Sequence, residues 1–423
     1  MLTVTIGLAD TIMVSSCGEV AISSVALVDT FSILFIQLFA AFATGGAAVM
    51  SQYLGRKEEK MANQAARQLF YICLGLGILV PLLCIPMREK FITALYGNLE
   101  KELLSGCLTY FIFIFGYFPF LGIYNVIYAM YLSLGNTKIT LKVSIIMNCT
   151  NILLNAVFIY HFNMGVAGAG LATFISWVEG ATILLVLQRI QKNPLSLHSL
   201  HRIKIDTRMC RRIASISIPN AIENSMFNIG KILVQRIIST LGISAIASAA
   251  VLFNIGSIIT IPGVGLSLAS TTVIGRCVGA GKKDQARYYS YKLQKVGMVS
   301  MFITILFTYP FLHQIIGFYH LTEEASALTY HIIATTLLIF PLAWPSSFTI
   351  PNFIRAAGDA KFTMYVSVAS MLIVRVGGAY LLSTVFHFGL MGVWLGMYSD
   401  WVCRTIFFVT RLRGNKWLEK SVI

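Results

Sequence analysis

Charge is what this chain has least of. Charged residues fill 12% of its 423 positions, where a soluble domain has roughly 25%. With 57% of the chain apolar and only 17 acidic residues, too few solvating groups remain to clothe a water-soluble surface. Paired cysteines are missing as well. The eight Cys are scattered, mostly inside apolar runs, and none has C-x-x-C spacing. That excludes a disulfide framework or a thiolate metal site and leaves small buried apolar residues. Asn148-Cys149-Thr150 matches a glycosylation acceptor, but it falls within an apolar run and is set aside. His161, His198, His201, His313, His320, His331 and His387 sit mainly in loops or at the ends of apolar runs, without H-E-x-x-H spacing. Nothing therefore points to an enzyme or a resident cofactor. The nearest approach to a phosphate-binding G-x-x-x-x-G-K-[ST] loop is Gly275 to Lys282. It has one residue too many and Lys283 where Ser or Thr belongs, so no ATP-driven pump follows. A channel filter would need a re-entrant glycine-rich loop, and none appears.

Long apolar runs are what the chain does have. About twelve stretches can cross ~30 Å of hydrocarbon. They cover Met1–Val14, Val25–Met50, Leu69–Ile85, Leu108–Leu134, Val143–Tyr160, Val166–Leu187, Ile213–Leu241, Ile243–Ile274, Val296–Phe311, Ala327–Ile350, Phe362–Phe386 and Leu390–Val409. In lipid each peptide group must pair within its own segment, so these spans are helices. The expected fold is an all-α polytopic membrane protein.

The net charge of +15 suggests nucleic acid until its distribution is read. All but six of the 32 Lys and Arg fall in or beside alternate connections, after spans 2, 4, 6, 8 and 10, and in the C-terminal tail. Arg88, Lys90 and Lys101 lie on the opposite side; Lys231, Arg236 and Arg375 lie within spans. This is the positive-inside asymmetry. It places both termini and the loop Gln191–Arg208 in the cytoplasm of a plasma-membrane protein. The partners expected are lipid and small solutes, not nucleic acid.

The chain also repeats. Shifted by 224 positions, Gly18, Ala21, Ile22, Ser24, Ala26, Gly55 and Ala62 meet Gly242, Ala245, Ile246, Ser248, Ala250, Gly279 and Ala286. Gly165, Gly168 and Trp177 meet Gly389, Gly392 and Trp401. A one-residue slip pairs Gly135 and Lys138 with Gly358 and Lys361. Two six-helix halves of like orientation result: residues 1–190, a linker 191–208, and residues 209–423. Solute sites tend to lie at the interface of such repeats. Span 1 is short. Met1–Val14 would rise only ~21 Å as a helix, and its counterpart, span 7, begins near Ile213, equivalent to about eleven positions before Met1. Either the start lies upstream or the first helix is a stub. No basic n-region or cleavage site marks it as a signal peptide.

Polar groups inside the membrane are functional candidates because each costs several kcal/mol unless partnered. Asp10 lies near the end of span 1. Asn148, Asn151 and Asn155 share one face of span 5 at i, i+3 and i+7. Thr173 opens span 6. In the second half, Asn220, Asn224, Asn228 and Lys231 make a stripe along span 7, with Glu223 beside it and Pro219 freeing a carbonyl. Arg236 and Arg375 are rare intramembrane cations that either pair with Glu223 or Asp400 or meet an anionic solute. Asp29, Glu179 and Asp400 are further single acids. Pro341, Pro345 and Pro351 should bend span 10.

Four motifs in order resemble one family. They are Asp10–Gly18; Ser51-Gln52-Tyr53-Leu54-Gly55-Arg56-Lys57, with a degenerate copy at Gly275–Lys283; Leu134–Lys138, repeated as Ala357–Lys361; and Gly165–Thr173. Together they are similar to the multidrug and toxic compound extrusion (MATE) transporters over nearly the whole chain. The run Ile218–Phe227 is similar to the bacterial DinF-like branch. The resemblance implies two pseudo-symmetric lobes with a substrate cavity between them, and export of organic solutes, cationic or amphiphilic, in exchange for inward Na⁺ or H⁺. It also implies a cation site at Asp10, Asn151, Asn155 and Thr173. Na⁺ favours such hard oxygens, and a lone carboxylate in low dielectric can carry a proton instead. Some relatives hold a second acid where Asn155 stands. In some branches an essential carboxylate lies two turns beyond the proline of span 7; Phe227 stands there, so that role is not carried over. Glu223, Asn224, Asn228, Lys231, Arg375 and Asp400 are the candidate solute contacts, and a monomer is expected. The competing reading of the asparagines is plain helix–helix hydrogen bonding. The competing function, from the same superfamily, is a flippase or exporter of a lipid-linked or anionic substrate.

Overall fold

The computed structural model of the protein describes residues 13–97, 99–191, 193–197, 204–319 and 321–423. Span 1 up to residue 12, and Asp10 with it, lies outside the described residues. So do His198, His201 and His320. All regular structure among the described residues is helical, as bilayer burial of the backbone demands.

The described chain forms two compact units. The first holds residues up to Met50 together with Glu59–Ala214, and the second holds Ser51–Glu58 with Ser215–Ile423. In the first unit, α1 (Glu19–Gly55, less its last turn) is followed by α2 (Glu59–Cys84), α3 (Arg88–Tyr96), α4 (Lys101–Gly116) and α5 (Phe118–Leu134). Then come α6 (Thr137–Asn155, continued by a π turn Ala156–His161) and α7 (Gly165–Ile190). The second unit contains α8 (Thr207–Ser239) from Ser215 on, then α9 (Ile243–Gly279), α10 (Lys283–Thr308), α11 (Glu323–Phe348), α12 (Ile350–Ala356), α13 (Ala360–Ala369) and α14 (Gly389–Arg413). Beyond α13 the helix runs on through π turns at Ser370–Gly377 and Leu381–Val385.

Eight described helices, or nine if α11 and α12 count as one bent span, are long and apolar enough to cross a bilayer. Of the twelve spans expected, three stand outside that set: span 1, α8 and α14. The two described ones are too polar, because they carry Asn220, Glu223, Asn224, Asn228, Lys231 and Arg236, and Asp400 and Arg404, respectively. The bend expected from the prolines of span 10 is present. Segments Glu323–Leu337 and Ile339–Ala356 meet at 64°. Pro341 has no N–H to offer the Leu337 carbonyl and its ring crowds that turn.

Lipid gives helices no hydrophobic reason to associate, so close packing must hold them. In the first unit α2 meets α5 where a side chain on Gly77 would strike the backbone of Phe118 and Pro119, and one on Gly122 that of Cys73. In the second, Gly392 and Gly396 let α14 reach the backbone at Leu382–Ser383 and Ala379. Below the spans, the loop before α8 is stitched to α2. Gln68 donates to Lys204 O at 2.7 Å, Asn63 to Pro194 O at 2.8 Å, and Gln64 to Asp206 at 2.6 Å.

The repeat is written into the backbone. Gly18 and Gly242 have φ of 97° and 99°, and Gly165 and Gly389 of 53° and 56°. Asn163 and His387, again 224 apart, adopt φ of 51° and 57°, a region costly for residues with a Cβ. Each follows a π turn. Left-handed φ thus explains the glycine pairs Gly18/Gly242 and Gly165/Gly389, while Gly55/Gly279 and Gly168/Gly392 recur where a Cβ would strike a neighbouring residue. Gln52, from the second motif, is fully buried in the second unit. It donates to Ala356 O at 2.8 Å and accepts from Ser421 Oγ and Val422 N.

Candidate functional site

In the first unit the oxygens that the sequence singled out come together. Asn151 and Asn155 are 6% and 1% exposed. Asn155 Nδ2 donates to Asn151 Oδ1 at 3.4 Å, Asn151 Nδ2 donates to Thr173 Oγ1 at 3.4 Å, and Thr173 Oγ1 donates to Ala169 O at 3.0 Å. The chain of contacts joins α6 to α7. The amide bonds are long for N–H···O, whose usual separation is ~2.9–3.0 Å, so the amides are gathered but not tightly locked. The π turn begins immediately after Asn155; such turns often accompany functional sites. Asn148 does not join the group and instead donates to Ser144 Oγ at 3.3 Å. Asp10, the proposed anionic member, lies outside the described residues. Nearby on α7, Trp177 stacks on Tyr117 with ring centroids 5.3 Å apart and meets Tyr124 edge-on at 5.4 Å. Glu179 has a buried Oε2 without a hydrogen-bond partner.

The second unit gathers charge. Asp400 on α14 is 0% exposed. Its Oδ1 accepts from Arg404 Nε at 2.8 Å and from Ser370 Oγ at 2.6 Å. Arg375 Nη1 lies 3.9 Å from its Oδ2, an ion pair without a hydrogen bond. One carboxylate therefore serves two buried guanidinium groups. Glu223 pairs with Arg355 at 3.4 Å, and Arg355 also donates to Asn220. Asn228 donates to Asn224 O at 3.1 Å, a bond within its own helix. Lys231 has no acidic partner among the described residues, and Arg236 is exposed.

Of the alternatives for the intramembrane cations, Arg375 takes Asp400, while the partner of Glu223 is a residue not anticipated. Sequence reasoning missed Arg355 and Arg404 because both were counted with basic connections and tail. The signal for Arg404 was available: it stands four residues after Asp400, one helical turn away. Arg355 gave none, since its partner lies 132 residues earlier.

A cavity of about 330 Å³ sits in the second unit, bordered by α8, α9, α11, α14 and the π turn after α13. Phe227, Lys231, Trp344, Arg375, Trp394 and Trp401 are among its walls. Of the solute contacts expected, Lys231 and Arg375 line it; Glu223, Asn224, Asn228 and Asp400 do not.

Many apolar helices, a backbone duplicated in detail, buried oxygens bridging two spans and an aromatic-walled cavity define a polytopic membrane transporter. The sequence model of the MatE family matches residues 1–157 and 219–381, and the chain belongs to that family, whose members are transporters and not enzymes. Among similar proteins, the uncharacterized transporter YisQ of Bacillus subtilis is 28% identical over 98% of this chain and 91% of its own length. The probable multidrug resistance protein NorM of Thermotoga maritima is 27% identical over 99% and 90%. A crystal structure of MATE in the bent conformation superposes with a TM-score of 0.90 at 19% identity, covering 99% of this chain and 93% of that one. A MOP superfamily transporter from Pyrococcus furiosus, described as having a binding pocket of reversed polarity, gives 0.88 at 19% identity, covering 98% and 93%.

Proposed function

We propose that this protein is a secondary active antiporter that exports organic, amphiphilic solutes in exchange for Na⁺ or H⁺ by alternating access. The observation carrying this reading is the buried Asn155–Asn151–Thr173 chain. Three neutral oxygens in an apolar setting suit a hard monovalent cation, and Asp10 is the acid proposed to complete the site and to take a proton when Na⁺ is absent. In this reading residues 1–190 and 209–423 are the two lobes, 191–208 is a cytoplasmic linker, and the protein works as a monomer in the plasma membrane with both termini in the cytoplasm. The names of the relatives support drug export, and the positive-inside pattern supports the topology.

The charge of the second unit's cavity bears on the solute. Lys231 and Arg375 on its walls favour an amphiphile over a simple organic cation, and the Pyrococcus protein of the same fold is described as having a binding pocket of reverse polarity.

Everted vesicles carrying the protein should accumulate a fluorescent solute when a Na⁺ or pH gradient is imposed, and lose it when the gradient is collapsed. Uptake unaffected by either gradient would overturn the antiport reading.

A further inference from the structure

The cavity of the second unit has no part in the ion site proposed for the first. Its volume of about 330 Å³ falls at the small end of the ~300–1,000 Å³ usual for ligand pockets. Its walls are largely aromatic, with two cations and, among the described lining residues, no carboxylate.

Three observations bear on what fills it. Charge is the first. Lys231 Nζ, Arg375 Cζ and Arg404 Cζ lie 5.1, 5.5 and 5.3 Å from the centre of the Phe227 ring. A ring face attracts each cation but neutralises none. Among the described residues Asp400 is the carboxylate paired with this group. Three cations less one carboxylate leave an excess of two positive charges around one phenyl ring. Two of the three, Arg375 and Arg404, are 5% and 2% exposed, and buried charge in excess of its partner calls for a counter-charge.

Unmet donors are the second. Arg375 is 5% exposed and Trp401 3%, and both line the cavity. Arg375 Nε and Trp401 Nε1 are buried without a hydrogen-bond partner. The hydroxyls on the wall are already engaged: Ser257 donates to Phe253 O at 2.8 Å and Thr260 to Ser257 O at 2.9 Å. With those hydroxyl protons already given to backbone carbonyls, the donors left to the site are the N–H groups of Lys231, Arg375 and Trp401.

The repeat is the third. Carried forward 224 positions, Asn151 and Thr173 become Arg375 and Met397, and Trp177 becomes Trp401. The place that holds neutral oxygens in the first unit holds a guanidinium in the second. Duplicated scaffold positions thus have opposite ligand preferences.

We infer that this cavity binds an amphiphilic organic anion: a carboxylate, sulfonate or phosphate beside Lys231 and Arg375, with an aromatic or acyl body against Trp344, Trp394 and Trp401. The assignment deepens the reading of the chain as an organic-solute transporter and rests on it. A water-soluble aromatic acid and an anionic phospholipid share the required chemistry.

The test uses the full chain in phosphatidylcholine nanodiscs. Three of the five Trp line the cavity, so energy transfer from tryptophan to anilinonaphthalene sulfonate reports binding, with empty nanodiscs subtracted. Lys231 is exposed and outside the buried ion pairs, so Lys231→Gln leaves the fold intact. It should weaken binding of the sulfonate about tenfold or more, the loss expected for one charged hydrogen bond, and Lys231→Arg should restore it. Ethidium, a cation of similar size, should bind no worse to the Gln variant than to the wild type. Displacement of the probe by phosphatidylglycerol added to the nanodisc identifies a lipid headgroup as occupant; displacement only by soluble aromatic acids identifies a soluble anion. Either supports the assignment. Equal sulfonate binding by wild type and Lys231→Gln, or tighter binding of ethidium than of sulfonate, overturns it. Sulfonate binding without gradient-driven flux would instead overturn antiport and leave the cavity assignment standing.

Discussion

Asp400→Asn is expected to cost about 3–5 kcal/mol of stability, the usual penalty for removing one partner of a buried ion pair. The amide keeps the shape of the carboxylate and can still accept from Ser370 and Arg404, which approach Oδ1 at 2.6 and 2.8 Å. What it loses is the only negative charge paired with Arg404 and Arg375 among the described residues, and those two side chains are 2% and 5% exposed. The two contacts are unequal. Arg404 makes a charge-assisted hydrogen bond, while Arg375, 3.9 Å away, is held by attraction alone, so most of the loss arises at Arg404. A second substitution, Arg375→Met, should recover part of the loss in the Asn background while destabilising the wild type. That is the sign of coupling in a double-mutant cycle. Unfolding followed in one detergent by tryptophan fluorescence measures all four proteins. An Asp400→Asn protein as stable as the wild type would show that the charge cluster contributes nothing to the fold.

Asp10→Asn has the largest expected effect on transport. The entire gradient-driven component of efflux should vanish, to the level of vesicles without protein, while the protein still inserts and elutes as the wild type does. The variant keeps an oxygen ligand but has neither the negative charge that favours Na⁺ nor a site that can take and release a proton. The remaining members of the site, Asn151, Asn155 and Thr173, are neutral, so no other group in the proposed site replaces that charge. Drug resistance equal to wild type in cells expressing Asp10→Asn would remove this residue from the coupling mechanism.

Helical periodicity puts Asn148, Asn151 and Asn155 on one face, but the choice of Asn151, Asn155 and Thr173 as a set came from the resemblance to the MATE family; spacing alone does not set Asn148 apart. The repeat itself was legible. Six of its glycines, Gly18, Gly135, Gly165, Gly242, Gly358 and Gly389, occupy left-handed backbone positions that other residues enter only at a cost, and Gly55, Gly168, Gly279 and Gly392 sit where a Cβ would strike a neighbour. The cation cluster was not legible. It depends on Phe227, Arg375 and Arg404 from three separate helices converging on one point, and no pattern along the chain encodes that. Gln52 shows the same limit. It belongs to a recognisable motif, but its part in fastening α12 and the C-terminal residues depends on partners more than 300 positions away. The exclusion of α8 and α14 from the most apolar spans has a related cause: among the residues that lower their hydropathy are Lys231, Asp400 and Arg404, which belong to the charged cluster.

The account stands most directly on whether an ion held by the first unit's amides drives export. Solute accumulation in everted vesicles should be measured against graded Na⁺ and pH gradients for the wild type and for a protein carrying both Asn151→Ala and Asn155→Ala. The account predicts that the double variant needs a roughly tenfold or greater rise in the driving ion for half-maximal rate, as expected when a charged interaction is lost, with solute affinity unchanged. Identical dependence on both gradients in the two proteins would contradict it.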